Sequence, residues 1–333
     1  MTQVVGKPTP RVEGELKVTG KAQYSADFNL PGTLWGRCLR SPIAYGRIKK
    51  IDTSKAWEVP GVKAVITGQD VAGLRIGRCI YDTPVLADGV VRFIGEKVAA
   101  VAAESKLAAE QALELIEVEY EELQPLLDPV EAAKPDAPVL HPDLLSYRGL
   151  PVPVEKPGNV FAYLKWGKGD IAEGFKQADV IVENTFTTQV THQSYLEPHA
   201  CVVKTSADGS AEVWSCSKTP FAVRTQLSNC IGVAKEKLVF HPTHIGGDFG
   251  GKGGFMDVPV AYFLSKKSGQ PVKVIMDYTE ELTAGNPRHP SIIKIKTGVK
   301  KGGTIVAHHI EFMFDSCAYG SMKPAGYLIG AST

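Results

Sequence analysis

Nine consecutive residues, GGDFGGKGG from Gly246 to Gly254, concentrate this chain's capacity for ligand chemistry. Six of the nine are glycine. Without a Cβ, the backbone reaches positive φ and can approach a bound group closely. A β-rich run, Lys237 to Phe240, precedes the loop. A helix is predicted over Met256–Lys267, with Val258, Ala261, Tyr262 and Phe263 apolar and Ser268-Gly269 as its stop. A glycine loop between a strand and a helix N-terminus presents free N–H groups and a positive dipole end, which suits a phosphate or another anionic group. The alternative is a tight turn needing several left-handed residues. Six glycines around one aromatic favour the ligand loop.

The spacing excludes the familiar nucleotide loops. A GxxxxGK[ST] loop needs a hydroxyl after Lys252, where Gly253 stands. A GxGxxG reading lacks the acidic residue that closes the next strand. Other residues that could do chemistry are scattered. His241 and His244 are three apart, do not share a strand face, and have no third ligand at fixed spacing. His192 and Glu197 lie upstream. Glu117, Glu119 and Glu121 alternate with Ile116, Val118 and Tyr120, a half-buried strand whose carboxylates read as a solvated face rather than a metal site. The six cysteines form no CxxC pair, which argues against a zinc ribbon or an iron–sulfur cluster on this chain.

The elements that must position the loop are legible from periodicity. The 333 residues allow two domains, and the hydrophobic fraction of 44% with 22% charged residues is that of an ordinary globular chain. A net charge of +1 argues against a broad nucleic-acid surface, and no apolar run reaches the ~20 residues of a membrane span. The N-terminus lacks a signal pattern, so a cytoplasmic location is expected. Residues 1–16 read as an extended arm. Strands are predicted over Leu34–Leu39 and Lys97–Ala103, with a helix from Lys106 to about Leu115 capped by Ser105. Residues 126–160 are rich in proline and read as a surface linker between domains at 17–125 and 161–333. In the second domain, Ile171–Gln177 and Thr219–Cys230 read as helices, Val180–Thr188 and Pro271–Met276 as strands, and Asp208-Gly209 as a hairpin turn. Strands mixed with helices make the fold class α+β.

The loop resembles the GGxFGGK signature of the molybdenum hydroxylases, the xanthine dehydrogenase/aldehyde oxidase family. Further short matches keep order along nearly the whole chain: Ser41-Pro-Ile-Ala-Tyr-Gly-Arg-Ile48, where Tyr45 and Gly46 replace the family's His and Ala; Trp214 to Phe221; Arg288-His-Pro290; and Asp315 to Gly320. The resemblance implies a hammerhead-type α/β domain followed by the first part of a molybdopterin-binding domain. It implies molybdopterin with molybdenum, as a cytosine dinucleotide, lying against Gly246, Gly247, Phe249, Gly250 and Gly251. Water-derived hydroxylation of an N-heterocycle or aldehyde is then the expected reaction, with electrons leaving to iron–sulfur and FAD subunits. Carbon monoxide oxidation, reductive dehydroxylation, or a scaffold role without metal are the alternatives.

Within that resemblance several residues depart from the pattern. Lys218 stands where the family's Gln donates to the metal's oxo ligand; a lysine can also donate and adds a full charge, although a solvated lysine is the ordinary reading. Asp248 stands at a position that is often glycine, and its side chain is expected to point away from an anionic cofactor. Phe249 either walls a substrate pocket or simply packs. Gly253 replaces a glutamate that helps hold purines, which argues against a purine substrate. Glu197 fits a structural Glu-Pro turn as a hydrogen-bonding anchor. The resemblance implies that the general base lies in a later part of the subunit, so the sequence reads as a fragment of a longer subunit or, alternatively, as one half of a subunit encoded in two pieces, inactive without the remaining part of the molybdopterin subunit.

Overall fold

The computed structural model describes residues 5–150 and 157–321. The family-like stretch after Lys323 and the apolar end at Ile329 lie outside the described residues. The first segment supplies α1 (Gly14–Val18), β1 (Leu34–Arg40), β2 (Gly46–Asp52), β3 (Val62–Thr67), β4 (Arg75–Ile76), β5 (Thr83–Pro84), β6 (Val90–Val91), β7 (Lys97–Ala103), α2 (Lys106–Glu114) and β8 (Glu117–Glu122). It ends with α3 (Pro129–Ala132), and the second supplies α4 (Ile171–Lys176), β9 (Val180–Thr188), β10 (Ala200–Thr205), β11 (Ala211–Ser215), α5 (Pro220–Ile231), β12 (Leu238–His241), α6 (Val258–Ser268), β13 (Val272–Ile275), α7 (Tyr278–Ala284), β14 (Ser291–Val299) and β15 (Ile305–Phe314).

Seven strands form one sheet in the order β12-β11-β10-β13-β1-β7-β3. Its halves come from opposite sides of the proline-rich segment, joined where β1 and β13 run parallel with Leu34 opposite Val272. The boundary placed at 126–160 therefore separates two stretches of sequence but not two sheets. After Lys97, β7 is apolar because both its faces are covered. Ala100 and Ala102 pack into the core that contains α6, while Ala99 and Val101 pack with Ala112 of α2. Ser105 caps α2 as its sequence predicts, its Oγ accepting from Ala108 N–H at 3.1 Å.

The glutamate strand β8 lies beside β2. Glu117 pairs with Lys55, and Glu121 with Arg47 and Lys49, so two of the three carboxylates in the row are neutralised by neighbouring cations. Among the described residues no group of three or more His, Cys, Asp or Glu is placed to hold a metal ion, and no helix is long and apolar enough to cross a membrane.

Two expectations differ from the structure. The N-terminal arm is not extended throughout: it turns into α1 at Gly14, where Lys17 reaches Glu13 one turn back. The proline-rich stretch is not a loose surface linker. Pro129 occupies the first turn of α3, where a missing N–H costs nothing, and Asp128 Oδ1 accepts from Val130 N–H at 2.7 Å. Further on, Leu144 and Tyr147 are buried with Ile80, and His141 Nε2–H donates to the Ala318 carbonyl at 2.7 Å. A few apolar anchors between prolines suffice to lay the segment onto the body.

Candidate functional site

The glycine loop leaves the edge of the seven-stranded sheet after β12 and enters α6, which is buried through Val258, Val260, Ala261, Tyr262 and Leu264 and ends at Gly269 in the left-handed conformation. Both ends are therefore anchored in the main core. Between them Gly247, Phe249 and Gly250 adopt φ of +96°, +44° and +97°. Phe249 is the exception among these, since a residue with a Cβ rarely sits there.

Asp248 organises the turn from inside. Its Oδ1 accepts from Lys252 N–H at 2.7 Å and its Oδ2 from Gly250 N–H at 3.0 Å, while its own carbonyl accepts from Gly251 N–H at 2.7 Å. Oδ2 also receives Lys218 Nζ at 2.8 Å. Burial pushes the Asp248 carboxyl up, but these donors outweigh it and hold it below the ordinary aspartate range. The side chain is thus folded back into its own loop.

The glycines answer to protein as much as to any ligand. A Cβ on Gly246 would lie 2.6 Å from Glu197 Cβ, one on Gly247 3.0 Å from Tyr195 Cβ, and one on Gly251 2.5 Å from the edge of the Tyr195 ring. At these positions the cleared space is filled by the Tyr195–Glu197 segment. Gly253 differs: a Cβ there would meet only Lys218 Cε, at 3.6 Å.

Beneath the loop, Lys252 is 0% exposed and pairs with Glu197 Oε2 at 2.7 Å, its Nζ sitting 4.8 Å from the centre of the Tyr195 ring. The same Glu197 oxygen accepts from Gly246 N–H at 2.7 Å. Tyr195 OH donates to buried Glu281 at 2.6 Å, and His199 holds Glu281 through both its backbone N–H and its Nδ1. Burial works to raise Glu281, and the His199 and Tyr195 bonds overcome it, keeping the carboxyl below its usual value. Burial and Glu281 together push the Tyr195 hydroxyl well up. This bracing gives Glu197 the anchoring position expected of it. Tyr195, His199, Glu281 and the burial of Lys252 carried no sequence signal beyond their closeness to Glu197 and to the Asp277 cap of α7.

The front of the loop is open. Phe249 is 63% exposed, and Arg288 Nη2–H donates to its carbonyl at 2.6 Å. Lys218 is brought to the loop by its backbone as well as its side chain, since Lys218 N–H donates to Lys252 O at 2.9 Å and Thr219 Oγ1 to Gly253 O at 3.0 Å. The histidines do not converge. His241 stacks on Trp214 and meets Glu212, His244 lies against Tyr24, and His192 faces Glu281 at 3.8 Å.

Residues 152–332 match the model of the molybdopterin cofactor-binding domain, and residues 19–124 match that of the aldehyde oxidase and xanthine dehydrogenase a/b hammerhead domain. The chain belongs to the molybdenum hydroxylase family. It is 36% identical to a probable xanthine dehydrogenase component of Bacillus subtilis over 97% of its own length and 42% of that protein. It is 32% identical to the nicotinate dehydrogenase large molybdopterin subunit of Eubacterium barkeri, over 97% of this chain and 73% of that one. The structure of reconstituted CO dehydrogenase from Oligotropha carboxidovorans superposes with a TM-score of 0.84 at 32% identity, covering 97% of this chain and 42% of its counterpart. The family resemblance and the hammerhead-plus-molybdopterin-domain fold read from the sequence both hold. The chain spans less than half the length of two of these three relatives.

The residues present fit a molybdopterin on the open side of the loop. Among the described residues, the N–H groups of Gly247 and Phe249 form no hydrogen bond, and Phe249 stands at the exposed front of the loop. Such unpartnered main-chain donors are what an anionic ligand requires. The space behind the loop does not compete. The cavity lined by His199, Cys216, Lys252, Phe255 and Asp257 measures about 20 Å³, room for one water.

Proposed function

We propose that this chain is the part of a molybdenum hydroxylase subunit that seats molybdopterin, as its cytosine dinucleotide, for water-derived hydroxylation of an N-heterocycle or an aldehyde in the cytoplasm. Electrons pass to iron–sulfur and FAD subunits. The observation that carries the reading is the set of unbonded N–H groups on a loop whose rear is locked by Lys252–Glu197 and Tyr195–Glu281. When bound, the cofactor supplies the redox chemistry that adds oxygen to an electron-poor carbon. The protein's part is positional. Gly246, Gly247, Phe249, Gly250 and Gly251 form the wall, with Gly247 and Phe249 offering main-chain donors. Lys218 offers its ammonium, which has three hydrogens, and Asp248 occupies one of them.

The carboxylates beside the loop are committed elsewhere. Glu197 serves Lys252 and Gly246, Glu281 serves Tyr195 and His199, and Asp248 serves its own turn. Glu197 Oε1 has no partner but is buried beneath the loop, so none of the three combines exposure with a free oxygen; the base comes from the remaining part of the subunit and this chain alone turns nothing over. Gly253 leaves open the side where a purine-binding glutamate would stand, which favours a substrate other than a purine.

The test is metal and pterin analysis of the complex purified with its partner chains. About one molybdenum and one pterin per copy, with cytidine monophosphate released on acid hydrolysis, is expected. An assembled complex free of molybdenum and pterin would hand the chain to the scaffold reading.

A further inference from the structure

We infer that a water molecule bound between His199 Nε2 and Asp257 Oδ1 fastens the downstream end of the glycine loop to the brace beneath it. The site lies behind the loop, away from the proposed cofactor, and stands whether or not that reading of the front holds.

Two buried polar atoms meet at one small space. His199 is 6% exposed and Asp257 4%. His199 Nε2 and Asp257 Oδ1 form no hydrogen bond. Both residues line the cavity of about 20 Å³ behind the loop. The partners at their other edges do not line it: Glu281, which meets His199 Nδ1 at 2.9 Å, and Arg40, whose Nη2 lies 3.4 Å from Asp257 Oδ2. The cavity therefore sits at the free edges, Nε2 and Oδ1. Lys97 Nζ stands 3.3 Å from Oδ1 as an ion pair but directs its hydrogen bond to the Met256 carbonyl, 2.9 Å away. A buried polar atom left unbonded costs free energy, so such atoms are nearly always satisfied. A space of this volume holds one water, and a buried water takes about two to four polar partners.

The protons select water as the ligand. Burial raises the Asp257 carboxyl, but Lys97, Arg40 and His199 outweigh it and keep it below the ordinary aspartate range. It is a carboxylate and only accepts. Glu281 is held as a carboxylate too, so His199 Nδ1 carries a hydrogen and donates it. With a neutral ring, Nε2 is a second acceptor, and a molecule with two O–H donors satisfies both atoms. With a charged ring, Nε2–H donates to the water oxygen and the water donates to Oδ1. One water closes either arrangement. The consequence is mechanical. Tyr195 presses on Gly247 and Gly251, and Glu281 ties it to His199. Asp257 follows the last glycine of the loop by three residues, and Arg40 and Lys97 tie it to the first half of the chain. The water joins these two holds, so the middle of the loop and its exit are fixed to each other.

The experiment is a crystal structure of the assembled enzyme at a resolution that shows ordered water. Density for one water within about 3.2 Å of both His199 Nε2 and Asp257 Oδ1 is expected. No density there, or His199 Nε2 bonded directly to Asp257, would overturn the inference. In parallel, hydrogen exchange across residues 246–256 is compared in His199→Phe, Asp257→Ala and the double variant, each in the assembled enzyme. Each single change breaks the same bridge, so the acceleration in the double variant should fall well short of the product of the two single accelerations. Accelerations that multiply would mean that the two side chains act on the loop independently, and would also overturn the inference. Val258→Ile adds a methyl at the cavity wall. It should lower the melting temperature by displacing the water from its two partners, whereas a rise, the response of a dry space, counts against the water. The parent structure decides the question even where a variant fails to assemble.

Discussion

The glycine loop contains two lysine–carboxylate pairs of almost equal length, Lys252–Glu197 at 2.7 Å and Lys218–Asp248 at 2.8 Å. Their surroundings differ. The first pair's side chains are 0% and 11% exposed, the second pair's 43% and 22%. The same contact therefore does different work at the two ends. Behind the loop, neither charge can return to water if its partner leaves, so the pair dictates where Gly246 and Lys252 sit. In front, water screens the pair, and Lys218 can exchange one acceptor for another at little cost. A cofactor wall needs both properties: a rear that does not move and a front that still offers donors.

The strongest way to break the comparison is to remove the buried cation. Lys252→Met should destabilise the fold by about 3–5 kcal/mol, because Glu197 is left charged and enclosed. Denaturant unfolding checks it. Lys252→Met combined with Glu197→Gln should recover a good part of the loss, since no lone charge then remains. A Lys252→Met cost as small as that of a surface lysine would mean that the rear pair is no more structural than the front one.

Next in size are the glycines. Gly251→Ala drives a methyl to 2.5 Å from the Tyr195 ring edge, in a segment held below by Glu281. Overpacking of this kind costs about 1–3 kcal/mol. Gly253→Ala meets only Lys218 Cε at 3.6 Å, the end of a flexible side chain, so it should stay within about 0.5 kcal/mol of the parent. Thermal unfolding of the two variants separates a loop shaped by protein contact from one shaped by ligand alone. Equal effects would erase the distinction between rear and front.

That distinction was only half legible in the sequence. The density of glycine, the strand before it and the helix after it are local signals, and α6 begins two residues later than the sequence reading places it. The reason for the glycines was not local. Tyr195 and Glu197 lie some fifty residues upstream, and nothing in their spacing announces that they press on the loop. Nothing in the sequence marks Lys252 for burial, since lysine is nearly always solvated; only its position over the Tyr195 ring and against Glu197 makes burial tolerable. The shared sheet was hidden for the same reason. β1 and β13 each read correctly as strands, but their parallel pairing joins Leu34 to Val272 across a segment whose prolines suggest separation. Pairing over such a distance leaves no mark in a window of a few residues. What could be read early was each strand, not its neighbour.

The smallest effect concerns the front pair. Asp248→Asn removes the ion pair with Lys218 and leaves one side-chain oxygen for two main-chain donors, a loss of about 1 kcal/mol. Its pH dependence gives it a signature. The Asp248 carboxyl is held below its ordinary value, so its contribution is fully present above the unfolded aspartate range, at about pH 4, and fades as the pH falls through the folded value. The stability gap between parent and Asp248→Asn should thus be constant from pH 5 to 8 and close in acid. Lys252→Met read over the same range provides the contrast, because its cost has a different origin, in a Glu197 charge left without a partner. A gap at Asp248 that widens as the pH falls, or that exceeds the Lys252→Met cost at neutral pH, would reverse the roles assigned to the two ends of the loop.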